Sequence, residues 1–153
     1  MFLLLSLSYR YFLLFFWSFF AATIFPGTSE FYLVYLVQDE QLFWLPVLVA
    51  TLGNTIGGVS TYYLGYFTAN YLEDKKQISS KFNLNKKALA ILQKYGAFAL
   101  ILSWIPLLGD IIVGFAGALK LPKTSAFLWM TLGKFLRYAA IALSTLGVIS
   151  LVN

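Results

Sequence analysis

Four apolar stretches, at residues 11–37, 42–72, 95–119 and 124–152, dominate the chain and leave one hydrophilic stretch between them, residues 73–94. A helix needs about 20 mostly apolar residues to cross the hydrocarbon core of a bilayer. Four membrane-inserted segments therefore nearly exhaust 153 residues. Apolar residues make up 60% of the sequence and charged residues 11%, where soluble domains carry about 45–50% and about 25%. A water-soluble fold of this size cannot cover that much apolar surface, whereas lipid can. The expectation is an all-α integral membrane protein forming a single domain over 1–153, with no room for a second globular unit.

The residue types that are missing exclude most chemistry. The chain has no cysteine and no histidine, which removes disulfides, thiol nucleophiles, imidazole acid–base catalysis and the usual zinc ligands. An enzyme would have to work with carboxylates alone, and no metal-ligand spacing appears, so neither catalysis nor a metal or other cofactor is expected. The net charge of +5 resides mostly in one loop. No nucleic-acid partner is expected, because that needs lysines spread along a soluble face. Residues 11–20 followed by Phe20-Ala21-Ala22-Thr23 loosely resemble a signal peptide. Arg10 is the only basic residue before that run, however, and Trp17 and several phenylalanines make it bulky, so the segment is expected to belong to the mature protein.

Helix-breaking residues divide the first and third stretches. Pro26-Gly27-Thr28-Ser29-Glu30 interrupts residues 11–37. Proline lacks a backbone donor and glycine permits a turn, so a helix should end near Phe25 and restart near Thr28 or Ser29. Each arm would be about 12 residues, or roughly 18 Å, too short to cross alone. Pro106-Leu107-Leu108-Gly109-Asp110 breaks residues 95–119 in the same way. The unbroken stretches 42–72 and 124–152 are each long enough to span. In the first of these, Gly53-x-x-x-Gly57 lets another helix approach closely.

The hydrophilic loop carries Lys75, Lys76, Lys81, Lys86, Lys87 and Lys94 against Glu73 and Asp74. Cytoplasmic loops are enriched in Lys and Arg, which places 73–94 in the cytoplasm, with a surface helix able to begin near Asn85. Lys94, Lys120 and Lys123 flank the third stretch on both sides, favouring a re-entrant hairpin that enters from the cytoplasm and returns there. The first hairpin would then enter from outside, where Asp39 and Glu40 lie. The order is hairpin, span, basic loop, hairpin, span: two oppositely oriented re-entrant hairpins and two full transmembrane helices in an inverted repeat. In such designs binding sites form where broken helices meet. A lone Arg10 outside is mildly disfavoured, and the alternative is a first segment that crosses fully.

Glu30, Asp110, Lys134 and Arg137 lie within the apolar stretches. An ionisable group inside a membrane is a functional candidate by default, since insertion scales assign such groups several kcal/mol. The acids sit at the two breaks, where half-helices expose unpaired backbone groups. Lys134 and Arg137 are three apart on one helix and share a face. The four charges read either as an ion-pair lock or as a polar cavity that binds an anion or relays protons. Asn54, on the glycine-lined face, is a candidate substrate contact, and taken alone also reads as helix glue.

Several motifs together resemble the DedA family, the superfamily of VTT-domain or SNARE-associated Golgi proteins. They are Phe25-Pro26-Gly27-Thr28-Ser29-Glu30, Gly53-Asn54-x-x-Gly57-Gly58 with Tyr63-x-Gly65, and Trp104-Ile105-Pro106 with Ala116-Gly117. Ser103 through Asp110 and Gly133-Lys134-x-x-Arg137-Tyr138 are most similar to its short YqaA-type branch. The likeness runs from Trp17 to about Leu143. It implies two oppositely oriented re-entrant hairpins and translocation of undecaprenyl phosphate or other phospholipids between leaflets, in some members coupled to protons. Glu30 matches the acid after the family's Pro-Gly, with Thr28-Ser29 inserted between. The chain departs from the family pattern at Asn54, where an acid is common, and at Ser103 and Gly109, where paired arginines stand. Lys134 and Arg137 are expected to supply that positive charge from another helix.

The leading expectation is a transporter or scramblase for an anionic lipid headgroup in a prokaryotic inner membrane. Lys134, Arg137 and Asn54 would contact the substrate, and Glu30 and Asp110 would relay protons or balance charge. The breaks at Pro26, Gly27, Pro106 and Gly109 would shape the site. The rivals are a non-transporting assembly protein and a small-ion or proton antiporter. Expected partners are membrane lipids, with a homo-oligomer left open.

Overall fold

The computed structural model describes residues 2–22, 28–39, 43–71 and 86–152, which are helical apart from short turns. The elements are α1 (Phe2–Ala21), α2 (Thr28–Asp39), α3 (Trp44–Tyr71), α4 (Lys86–Tyr95), a 3₁₀ helix (Gly96–Trp104), α5 (Leu108–Ala118) and α6 (Lys123–Val152). Among the described residues there is no β-strand. The helix over Lys123–Gly147 has the length and hydropathy to cross a membrane. Phe31, Leu64, Phe67 and Leu128 are among the large apolar side chains left exposed, a surface suited to lipid and poorly suited to water.

Pro26 and Gly27 lie outside the described residues, as does the basic loop up to residue 85. On the far side of that first break α2 starts at Thr28, as the sequence predicts. α1 corrects the expectation. It begins at Phe2, not near residue 11, and its 20 residues extend about 30 Å, long enough to cross a hydrocarbon core. Ser6, Ser8 and Arg10 dilute the apolar pattern there, but none of them blocks a helix as proline does. The expected short first arm is therefore a full-length helix.

The second break follows the sequence more closely. The 3₁₀ helix has 9 residues, about 18 Å at ~2.0 Å each, and α5 has 11, about 17 Å. At the break Leu107 has φ 64° and ψ −57°, and the Leu108 N–H donates to the Pro106 carbonyl at 2.7 Å. This is a γ-turn of the rare positive-φ kind, a conformation that costs on the order of 1–3 kcal/mol for a residue with a side chain. It ends the 3₁₀ helix and aims α5 back along it.

Two apolar cores form along opposite halves of α3 and α6. One gathers Leu14, Leu33, Leu36, Val47, Ala50 and Ala142 from α1, α2, α3 and α6. The other gathers Tyr62, Leu92, Leu100, Ile112, Ala116 and Met130 from α3, α4, the 3₁₀ helix, α5 and α6. Glycine allows the close approaches. A Cβ on Gly57 would lie 2.6 Å from the Phe19 carbonyl oxygen and 2.8 Å from Ala22 Cβ, so the Gly53/Gly57 face seats α1. α1 packs mainly on α3 and the 3₁₀ helix mainly on α6, whereas α5 packs on α3 and α2 on α6.

Candidate functional site

α6 carries two buried cations, Lys134 and Arg137, and neighbouring helices bring an acid to each. Lys134 is 1% exposed. Its Nζ donates to Asp110 Oδ1 at 3.1 Å and to Asn54 Oδ1. The Asn54 amide in turn donates from Nδ2 to the Ser18 carbonyl at 3.0 Å. One buried cluster thus ties α1, α3, α5 and α6 together. Gly58 makes room for it, since a Cβ there would lie 3.1 Å from Lys134 Cε.

Arg137 projects from the same face of α6 toward α2. Its Nε donates to Glu30 Oε1 at 2.7 Å, and Nη2 donates to the same oxygen. The Arg137 side chain is 10% exposed and that of Glu30 is 30% exposed. Glu30 stands in the first turn of α2, and Asp110 in the first turn of α5. At a helix N-terminus the backbone dipole favours a carboxylate, and each of these acids stands next to a cation. A neighbouring contact between buried groups, Ser29 Oγ to Tyr138 Oη at 2.8 Å, joins the same two helices.

A groove of about 380 Å³ opens beside the Glu30–Arg137 pair, lined by Glu30, Trp104, Ile105, Pro106, Arg137, Ala140 and Ile141. It brings the two breaks to one place: Glu30 follows the first, and Trp104 through Pro106 lead into the second. Its walls are apolar apart from the ion pair.

Of the residues expected from sequence, Glu30, Arg137 and Pro106 line this groove. Lys134, Asn54 and Asp110 form the adjacent buried cluster and are not among its lining residues. Gly109 is packed against the Ser103 backbone, where a Cβ would lie 2.6 Å from Ser103 Cα. Ser103 donates from Oγ to the Met130 carbonyl at 3.0 Å, so that position serves helix packing. Trp104, Ala140 and Ile141 were not singled out as site residues. They become legible only when the second break folds onto the C-terminal half of α6. Ser29 and Tyr138 were noted within motifs, and their proximity to Glu30 and Arg137 was the available signal for the contact between them.

The VTT domain matches residues 34–146 of the chain. The chain is 37% identical over 129 residues to the inner membrane protein YqaA of Escherichia coli, covering 84% of this chain and 85% of that one. The protein of the same name from Shigella flexneri matches to the same extent. An uncharacterized protein of Haemophilus influenzae is 35% identical over 132 residues, covering 81% of this chain and 80% of that one. No solved structure matches.

Proposed function

The chain belongs to the VTT-domain, or DedA, family, and on that premise we propose that it carries the anionic headgroup of a polyprenyl phosphate or phospholipid between the leaflets of a prokaryotic inner membrane. The observation that carries this reading is the groove, in which an arginine held by one carboxylate stands at the edge of apolar walls. A guanidinium can donate two parallel hydrogen bonds to a phosphate. Here it spends two donors on a single oxygen of Glu30, an arrangement that a phosphate entering the groove can displace. Trp104, Ile105, Pro106, Ala140 and Ile141 offer the hydrocarbon chain an apolar path. Glu30 would take up a proton when the phosphate occupies Arg137, which couples headgroup entry to protons. Lys134, Asn54 and Asp110 form the second polar station beneath it, compensating charge as the headgroup passes.

The topology proposed with this function has a re-entrant second hairpin and a cytoplasmic loop 73–94. Two arms of about 17–18 Å are too short to cross alone, which supports the hairpin. The exchanged packing also supports an inverted repeat: in each half the first arm packs on its own long helix and the second arm on the other half's. The length of α1 favours the alternative in which the first segment crosses fully and α2 alone turns back.

A second reading is supported by Lys134, whose burial and ties to two helices suit a static lock. Proteoliposomes loaded with a fluorescent phospholipid or polyprenyl phosphate separate the two. The transport reading expects the fraction reachable by an external quencher to rise well above that of empty liposomes. Equal traces with and without protein would leave the lock.

A further inference from the structure

Away from the groove, the end of the molecule where α3, α4 and the α5–α6 turn converge holds a basic pair in an unusual setting. Lys120 has φ 55° in the turn that closes α5, where the Lys120 N–H donates to the Gly117 carbonyl and the Leu121 N–H to the Ala116 carbonyl. This helix-ending geometry places a left-handed residue that is usually glycine, because a Cβ is disfavoured there. Lys123 opens α6, where the helix dipole disfavours a cation. Both ammonium groups nevertheless lie over one ring: Lys120 Nζ is 5.6 Å and Lys123 Nζ 5.3 Å from the Tyr66 centroid, with Lys123 also 5.1 Å from that of Tyr63. Among the described residues no carboxylate forms an ion pair with either lysine.

A preference for cytoplasmic lysines requires positive charge near this end of the helices, not two like charges on a single aromatic face with one of them on a disfavoured backbone. Two cations held together, with no acid paired to them among the described residues, present a receptor for an anion. The rings fix the ammonium groups by cation–π attraction without neutralising them. Beside them Phe67 stacks on Tyr63 with centroids 6.0 Å apart, and Phe67 and Leu64 are exposed, so apolar surface for acyl chains adjoins the charge. We propose that Lys120 and Lys123, held on Tyr63 and Tyr66, form a docking site for the phosphate of an anionic phospholipid in the adjacent leaflet, separate from the translocation groove.

The test is native mass spectrometry of the full chain, delipidated in neutral detergent and titrated with phosphatidylglycerol or phosphatidylcholine. The wild type should retain phosphatidylglycerol preferentially. Each lysine should contribute about fivefold to that preference, so Lys120→Gln/Lys123→Gln should remove it and Lys120→Arg/Lys123→Arg should keep it. Lys120→Gly separates backbone from ligand: it should raise the melting temperature in neutral detergent while weakening phosphatidylglycerol retention. Equal retention of the two lipids by the wild type, or unchanged preference in the double glutamine variant, would overturn the proposal. Full displacement of the lipid by millimolar inorganic phosphate would also overturn it, since the site would then be one for a free anion. If the double glutamine variant proves too unstable to isolate, Lys120→Gly alone decides the matter: higher stability with undiminished lipid preference refutes the site.

Discussion

Replacing Asp110 with asparagine isolates the energetic role of the buried cluster. Lys134 is 1% exposed, and its countercharge is Asp110 Oδ1 at 3.1 Å, with the Asn54 amide oxygen as its second acceptor. Asparagine keeps the shape and an acceptor but removes the countercharge, leaving an ammonium with only neutral partners. Breaking a buried pair from one side costs about 3–5 kcal/mol, and the low end applies here because Asp110 is 20% exposed. Adding Lys134→Met removes the stranded charge. The thioether chain can follow the path of the lysine stem past Gly58, where a Cβ would lie 3.1 Å from Lys134 Cε. The remaining loss is the hydrogen bond to Asn54, about 1 kcal/mol. The paired variant should therefore recover about 2 kcal/mol or more relative to Asp110→Asn. Unfolding in neutral detergent, followed by tryptophan fluorescence, measures all three proteins. The reasoning fails if Asp110→Asn melts with the wild type, or if the paired variant is no more stable than the single one.

Other expectations follow from the packing and the breaks. Single cysteines introduced at Lys94 and Lys120 of this cysteine-free chain should be labelled from the same side of the membrane; labelling from opposite sides would leave an ordinary spanning segment in place of the second hairpin. Gly57→Val should weaken the contact of α1 with α3 by about 1–3 kcal/mol, because the new side chain meets the Phe19 backbone; an unchanged melting temperature would show that α1 is held elsewhere. Pro26→Ala/Gly27→Ala should favour a continuous first helix, since proline within a helix costs about 3 kcal/mol. Translocation should then be lost while the protein still inserts, and full activity would remove the first break from the site.

The charges were the most legible part of the site because an ionisable group in a membrane is too costly to be incidental. Their balance of two acids and two bases pointed to mutual compensation. Their partners were not legible: Lys134 and Arg137 share a helix face, and only the packing of α5 on α3 and of α2 on α6 sends one to Asp110 and the other to Glu30. Gly53-x-x-x-Gly57 announced a close helix contact, and the structure supplies α1 as its partner. Pro106 and Gly109 located the second break, but hydropathy could not distinguish 3₁₀ from α geometry at Gly96–Trp104, since both bury apolar residues. Hydropathy also misplaced the start of α1, because Ser6, Ser8 and Arg10 lower its local value without interrupting a helix. The apolar walls of the groove, Trp104 and Ile141, are ordinary lipid-zone residues until the 3₁₀ helix and the second break pack against α6.

The claim that Arg137 and Glu30 move a phosphate headgroup is tested most directly by translocation measured on charge-paired variants in proteoliposomes. Glu30→Gln should insert and fold while losing the pH dependence of translocation. Arg137→Lys should fail to translocate despite retaining its charge, because a lysine cannot present the planar fork to a phosphate. The double variant Glu30→Gln/Arg137→Gln should regain stability relative to Glu30→Gln but show no translocation above empty liposomes. Recovery of both stability and translocation in that double variant would contradict the account and leave the four charges as scaffolding.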